Sequence, residues 1–393
     1  MTARNPVQTV AEPVPLHGPA FGSYRADEVS WLLTDLSAAD LEAPVEEREE
    51  AIQSGVAHYA ESLPVEYQPG AEYQQLFARA LASSATTMAH AVGLVTELVL
   101  AERGAEPVLV SLARAGTPVG ILMRRWARFA HGVDLPHFAV SIVRGRGIDQ
   151  VALAYLAARH DPADVVFVDG WTGKGAIARE LTAALADADA VLGLASGRGF
   201  SADLAVLADP GRCVRTFGTR EDFLIPSACL NSTVSGLVSR TVLNDRLIGP
   251  GQFHGAKFYA DLAPADVSGH FLDAVSAEFA AVADRVTADL PALAGGDRTP
   301  TWSGWATVQR LAAAHGIGDV NLVKPGVGET TRVLLRRVPW KVLIRRDAVT
   351  RLQHVLLLAE QRGAEVELVD DMAYSCVGIV RPGFTRTPMG VAR

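Results

Sequence analysis

Residues Asp164–Leu185 read DVVFVDGWTGKGAIARELTAAL. The four apolar residues Val165 to Val168 spell a short strand buried on both faces, and Asp169 closes it. Gly170, Trp171, Thr172, Gly173, Lys174 and Gly175 then feed directly into an alanine-rich helix over Ala176–Ala186. Free amides at a helix start attract phosphate, and glycines let the main chain approach it closely. Thr172 offers a hydroxyl donor, Lys174 a positive charge, and Asp169 an acceptor for ribose hydroxyls. An acid ahead of a phosphate nest describes a sugar-phosphate site; the bland alternative is a glycine-rich turn without a ligand. A P-loop is excluded, because its first glycine is replaced by Val168 and its Ser/Thr by Gly175. The dinucleotide fingerprint fails too, since Gly145-Arg146-Gly147 lacks a third glycine.

Outward from this stretch, strands alternate with helices. Pro107–Leu112, Phe138–Val143 and Asp164–Asp169 read as buried strands, with Val191–Leu194 and Leu204–Leu207 as two shorter ones. Pro118–His131 and Ile148–Arg159 read as helices between them. Such alternation implies an α/β fold with a parallel sheet covered on both faces, and its ligands belong beyond the carboxyl ends of the strands.

The 393 residues suggest two or three domains, and an apolar fraction of 49% with mean hydropathy +0.17 is ample for packed cores. Residues 1–22 read as a flexible tail, 23–290 as the main domain with a helical part over 27–104, and 301–393 as a separate unit. The acidic run Glu46–Glu50 falls in the helical part, and Pro291–Pro300 has linker composition. No apolar run is judged of transmembrane length, and no signal-peptide layout opens the chain, so a cytoplasmic protein without membrane contact is expected. Cys213, Cys229 and Cys376 form no CxxC pair, which argues against a disulfide framework or a structural zinc site. Net charge is −8 overall, but residues 301–393 carry 13 Lys and Arg against 8 Asp and Glu. The basic end points to an anionic partner or to a solvated face.

Two further loops follow strands. Arg114, Ala115 and Gly116 lie after the first, and Arg144-Gly145-Arg146-Gly147 after the second. Arginines between glycines suit a mobile segment that closes over a leaving anion, or a plain surface turn. Thr219–Arg240 is dense in small polar residues and is followed by His254 and Lys257. It is either a hydrogen-bonded core or a pocket lined by Asp222, Ser227, Asn231, Arg240, His254 and Lys257.

VVFVDGWTGKG resembles the motif by which type I phosphoribosyltransferases bind phosphoribosyl pyrophosphate (PRPP), although Gly170 stands where the motif has a second acid. The resemblance implies a type I phosphoribosyltransferase-like sheet. In that reading Asp169 holds ribose and Mg²⁺, Thr172 to Gly175 cradle the 5-phosphate with Gly170 and Trp171 also in the substrate site, Arg114 to Gly116 hold pyrophosphate, and Arg144 or Arg146 assists its departure. Gly328-Glu329-Thr330-Thr331-Arg332 resembles the RNA-contacting loop of the Pelota-type α/β fold, with Lys324, Arg332, Arg336, Arg337, Lys341, Arg345 and Arg346 as a basis for phosphate contacts. SLARAGTPVG, SIVRGRGID, DGWTGKGAI, IPSACLNSTVSG and FHGAKFY in that order resemble a bacterial family. Its members are described as phosphoribosyltransferase-like and Pelota-like RNA-binding proteins of tellurium-resistance and stress operons, and some are labelled cysteine protease of StiP type.

Three function classes follow. The leading expectation is a PRPP- and Mg²⁺-dependent phosphoribosyltransferase acting on an unknown acceptor, a base or an amine, possible as a homodimer. The second is a non-catalytic PRPP- or nucleotide-sensing RNA-binding protein. The third, placed last, is a cysteine protease with Cys229 as nucleophile, His254 as base and Asp222 or Asn231 as orienter. Cys229 lies in a stretch of small and apolar residues that suits burial.

Overall fold

The computed structural model describes residues 12–43, 60–66, 68–104, 106–194 and 198–381. The acidic run Glu46–Glu50 lies outside them. Residues 12–22, read as part of a loose tail, are anchored. Leu16 and Trp31 exchange backbone hydrogen bonds of 2.8 and 2.9 Å, and Phe21 is buried. Among the described residues, the expected helical part of 27–104 is helical only from Ala71. Before it run β1 (Ser30–Leu32) and two short parallel pairs, Thr34–Asp35 with Gly255–Ala256 and Glu42–Ala43 with Leu63–Pro64.

Helix α1 (Ala71–Arg103) has an almost continuous apolar side. By length and composition it is apolar enough to cross a membrane, which the sequence reading overlooked. Here Leu76, Phe77, Met88, Val92, Val95 and Leu98 are buried within the protein. Gly104 ends it with φ +89°, donating its amide to Leu100.

The strand–helix series follows: β2 (Val108–Ala113), α2 (Thr117–His131), β3 (His137–Val143), β4 (Gly147–Ile148), α3 (Gln150–Ala157), β5 (Val165–Trp171), α4 (Ala176–Leu192), β6 (Ala205–Ala208) and β7 (Thr216–Thr219). The expected strand Val191–Leu194 is absent, because α4 continues to Leu192. The sheet order is β1-β3-β2-β5-β6-β7, parallel throughout, with β4 turning back antiparallel on β3. One face carries α1, α2, α5 (Ser268–Ala277) and α6 (Phe279–Gly295); the other carries α3 and α4. Gly218 of β7 lets α1 approach so closely that an added Cβ would sit 2.1 Å from the Ala91 carbonyl.

Residues from α7 (Ser303–Ala314) onward form a second sheet in the order β8-β11-β9-β10, made of Val323–Pro325, Cys376–Val380, Pro339–Arg345 and Glu365–Val369. Strands β9 and β10 are parallel, and β11 runs antiparallel to both β8 and β9. Helices α8 (Val327–Arg336) and α9 (Gln353–Gln361) pack with this sheet. Strand β11 has no counterpart in the sequence reading. Its five residues CVGIV are all buried, a pattern with no alternation to mark it.

Candidate functional site

Sheet order reverses between β2 and β5, so the crevice of this fold opens beyond their carboxyl ends. The loops there are the ones singled out from sequence, Arg114–Gly116 and Gly170–Gly175. Their contacts differ from those of an open phosphate cradle. Thr172 spends its hydroxyl on Asp209 (2.5 Å). The Gly173 carbonyl accepts from the Tyr374 hydroxyl at 2.9 Å, and Lys174 donates to the Val320 carbonyl at 2.8 Å. Gly175 has φ +71°, and an added Cβ would lie 2.2 Å from the Trp302 ring. The C-terminal unit therefore sits on this loop.

Asp169 accepts one hydrogen bond, from the Gly170 amide at 2.8 Å, and burial pushes its carboxyl up to about 7. Among the described residues no three His, Cys, Asp or Glu side chains converge as a metal site. Burial lowers Lys174 to about 8, helped by repulsion from Lys324 and Arg144. Arg114 reaches inward to the Val238 carbonyl (2.9 Å), Ala115 is exposed, and Gly116 caps α2. The Arg144–Gly147 loop is a tied hairpin and not a free flap. Glu180 accepts from the Gly145 and Gly147 amides at 2.9 and 3.0 Å, and Arg146 lies 3.8 Å from Glu61.

The expected acceptor pocket is dispersed. Lys257 pairs with Glu42 at 2.7 Å, Arg240 donates to the Ser62 carbonyl, and His254 bonds Ser141 through Nδ1 at 2.8 Å. Ser227 sits in a single 3₁₀ turn, Pro226–Ala228. Asp222 and Asn231 instead face the C-terminal unit. Asp222 accepts from the Val327 amide (2.9 Å) and the Ser375 amide (2.8 Å), so one carboxylate caps α8 and holds β11. Burial nevertheless raises it to about 6. Asn231 accepts from Arg336 at 2.6 Å, and Arg336 also donates to the Cys229 carbonyl at 2.9 Å.

Of the residues expected to meet RNA, Gly328 and Glu329 line a narrow cleft with Trp171, Thr172 and Asp222. Thr330 is fully buried, which removes it from any surface contact. Arg332 lies half-exposed 3.4 Å from Glu329. Burial lowers Lys324, with Arg337, Arg144 and Arg332 adding repulsion that Glu329 offsets. Tyr374 and Glu66, which accepts from Ser232 at 2.9 and 2.7 Å, were missed, and Arg336 was expected as a phosphate contact and not as a partner of Asn231 and Cys229. Each bonds a residue more than 100 positions away, and no local pattern marks that.

All three cysteines are buried. Burial pushes the Cys213 and Cys229 thiols up to about 12 and raises the Cys376 thiol well above its ordinary value. Their charged neighbours separate them. Asp209 raises Cys213 further, opposed by Arg179 and Arg220, and Asp222 raises Cys376, whereas only the cations Arg336 and Arg332 act on Cys229, both pulling it down. The histidine and orienting acid expected beside Cys229 are engaged with other partners: His254 bonds Ser141, and Asp222 caps α8.

Residues 22–276 match the family described as tellurite-like stress resistance cysteine protease StiP. The chain belongs to that family. Residues 302–382 match the PELOTA RNA binding domain. A relative, "Cysteine protease StiP" of Acinetobacter baylyi (strain ATCC 33305 / BD413 / ADP1), is 34% identical over 346 residues, covering 84% of this chain and 86% of the relative. No solved structure matches. The stress-resistance family and the Pelota unit stand as expected. The StiP name overturns the transferase reading, with its PRPP and magnesium chemistry: the family is named for a cysteine protease, the class placed last. The misreading has a physical reason, since the loop taken for a phosphate cradle is capped by Val320, Tyr374 and Trp302. The type I phosphoribosyltransferase fold has no support from solved structures; what stands is a mixed α/β fold with a parallel sheet and a Pelota-like C-terminal domain.

Proposed function

We propose that this chain is a cysteine peptidase of stress resistance, latent in the conformation described, with Cys229 as nucleophile and a C-terminal domain that binds RNA. The observation that carries the peptidase reading is the StiP relative, 34% identical across 84% of the chain. Cys376 lies outside the matched family segment, and Cys213 has an acid beside it. Cys229 lies inside the segment, and the charges that act on it are two guanidiniums, with no acid opposing them. Positive neighbours favour the thiolate once water reaches the sulfur. The thiolate then attacks a peptide carbonyl, the amine leaves, and water hydrolyses the acyl-enzyme. RNA binding is supported by the Pelota match and by the mutually repelling cations Lys324, Arg332 and Arg337.

Hydrolysis of a fluorogenic protein substrate, followed through a series of sub-denaturing urea concentrations, tests the assignment. Cys229→Ser should abolish turnover, while Cys213→Ser and Cys376→Ser keep most of it. Turnover that survives in Cys229→Ser, or wild-type protein inert throughout the series, would sink it.

A further inference from the structure

The contradiction between a cysteine protease and a thiol held at about 12 lies in what covers Cys229. Its 3₁₀ turn is packed between α1 of the main domain and α8 of the C-terminal domain. Cys229 belongs to the same apolar cluster as Leu81, Met88, Leu334 and Leu335. Gly328 of α8 rests on Ala228, where an added Cβ would lie 3.2 Å from the Ala228 methyl group. The cover is pinned along its length. Asp222 caps the start of α8, Arg336 near its end grips the Cys229 carbonyl and Asn231, and Tyr73 of α1 donates to the Leu335 carbonyl at 2.8 Å.

The same contact carries a built-in opposition. Closing brings Arg332 and Arg336 of α8 toward Arg114 of the main domain. Burial is the larger effect lowering Arg336, to about 10, with Arg332 and Arg114 repelling it and Glu66 and Tyr73 favouring its charge. Arg114 likewise feels burial first, then attraction from Glu66 and repulsion from Arg332. A ligand opens a closed state only by binding the open one better. A polyanion meets this condition here. Arg332 is half-exposed while the cover is shut, whereas Arg336 is occupied by Cys229 and Asn231 and becomes available only when α8 lifts.

We propose that the C-terminal domain is an autoinhibitory cover on Cys229, and that RNA seated on the basic side of α8 lifts it and exposes the thiol. The proposal rests on the assignment of Cys229 above, but its test reads accessibility and not turnover, so the two fail separately. The full-length chain is treated with iodoacetamide, and alkylation at Cys229 is followed by peptide mass spectrometry. Arg336→Gln and Tyr73→Phe each remove a pin. Circular dichroism establishes that each variant is folded, and Tyr73→Phe, which loses one hydroxyl, serves if Arg336→Gln does not fold.

Wild-type Cys229 should react slowly. A folded pin variant, or wild-type protein saturated with a short RNA hairpin as judged by fluorescence anisotropy, should react at least ~10-fold faster, the change a shift of about 1.4 kcal/mol in opening produces. Cys229 that reacts fast in untreated wild-type protein would overturn the cover. So would an unchanged rate in the folded pin variants, or a rate that the bound hairpin leaves the same or lowers.

Discussion

Asp169 shows how one residue can be found by sequence and misjudged in its partners. Its position near the carboxyl end of a strand was legible because the apolar run stops there and glycine follows, although β5 continues two residues further to Trp171. Its surroundings were not, since the cover of the next loop comes from residues near 302, 320 and 374. Burial raises its carboxyl from the ordinary 3.8 to about 7. A raised folded-state value means the protonated form is favoured in the fold. Its contribution to stability is therefore fully present below about pH 4 and is lost as pH rises through 7. Asp169→Asn should match the wild type near pH 4 and melt higher by on the order of 2–4 °C at pH 8. Melting curves of both proteins across this range check it, and a variant less stable than wild type at pH 8 would show the carboxylate to be needed in its charged form.

At the scale of elements, the strands and helices around the crevice were readable, while their neighbours in space were not. Helix α1 advertises itself by apolar recurrence, but its partner β7 is only four residues long and carries a glycine. That glycine is the point of closest approach. Gly218→Ala would place a methyl group 2.1 Å from the Ala91 carbonyl, so helix or strand must shift. Overpacking of this kind costs about 1–3 kcal/mol, and thermal denaturation should reveal it as a lowered midpoint with secondary structure retained. An unchanged midpoint would mean that α1 moves freely over the sheet. The hairpin of β3 and β4 makes the same point. Its Gly-Arg-Gly sequence suggested a mobile flap, and Glu180 on α4, more than 30 residues away, ties it down.

Across the whole molecule, one apolar cluster joins the two sheets. It runs from Leu109 and Val168 of the main domain to Val327, Leu334, Val342 and Ile344 of the C-terminal domain. A shared core couples the melting of both parts. Calorimetry should show a single heat-absorption peak, and two resolved peaks would separate the domains energetically. A single transition is compatible with rarer opening of α8 alone, because local excursions cost less than global unfolding.

The sequence by itself determined the alternation of strand and helix, strand ends within two residues of Leu112 and Asp169, the basic C-terminal unit with its Gly-Glu-Thr-Thr-Arg start, and the resemblance to the stress-resistance family. The first three rest on local periodicity, glycine placement and charge, all set within a few residues; the family rests on the resemblance of an ordered set of motifs. Only the tertiary structure decided that Thr172 and Lys174 are spent on Asp209 and Val320, that Asp222 caps a distant helix, and that Cys229 lies beneath Arg336. Each of these pairings joins residues from 37 to 146 positions apart. Whether a polar group is available to a ligand depends on such partners, because a buried donor or acceptor must be satisfied from wherever the fold brings one.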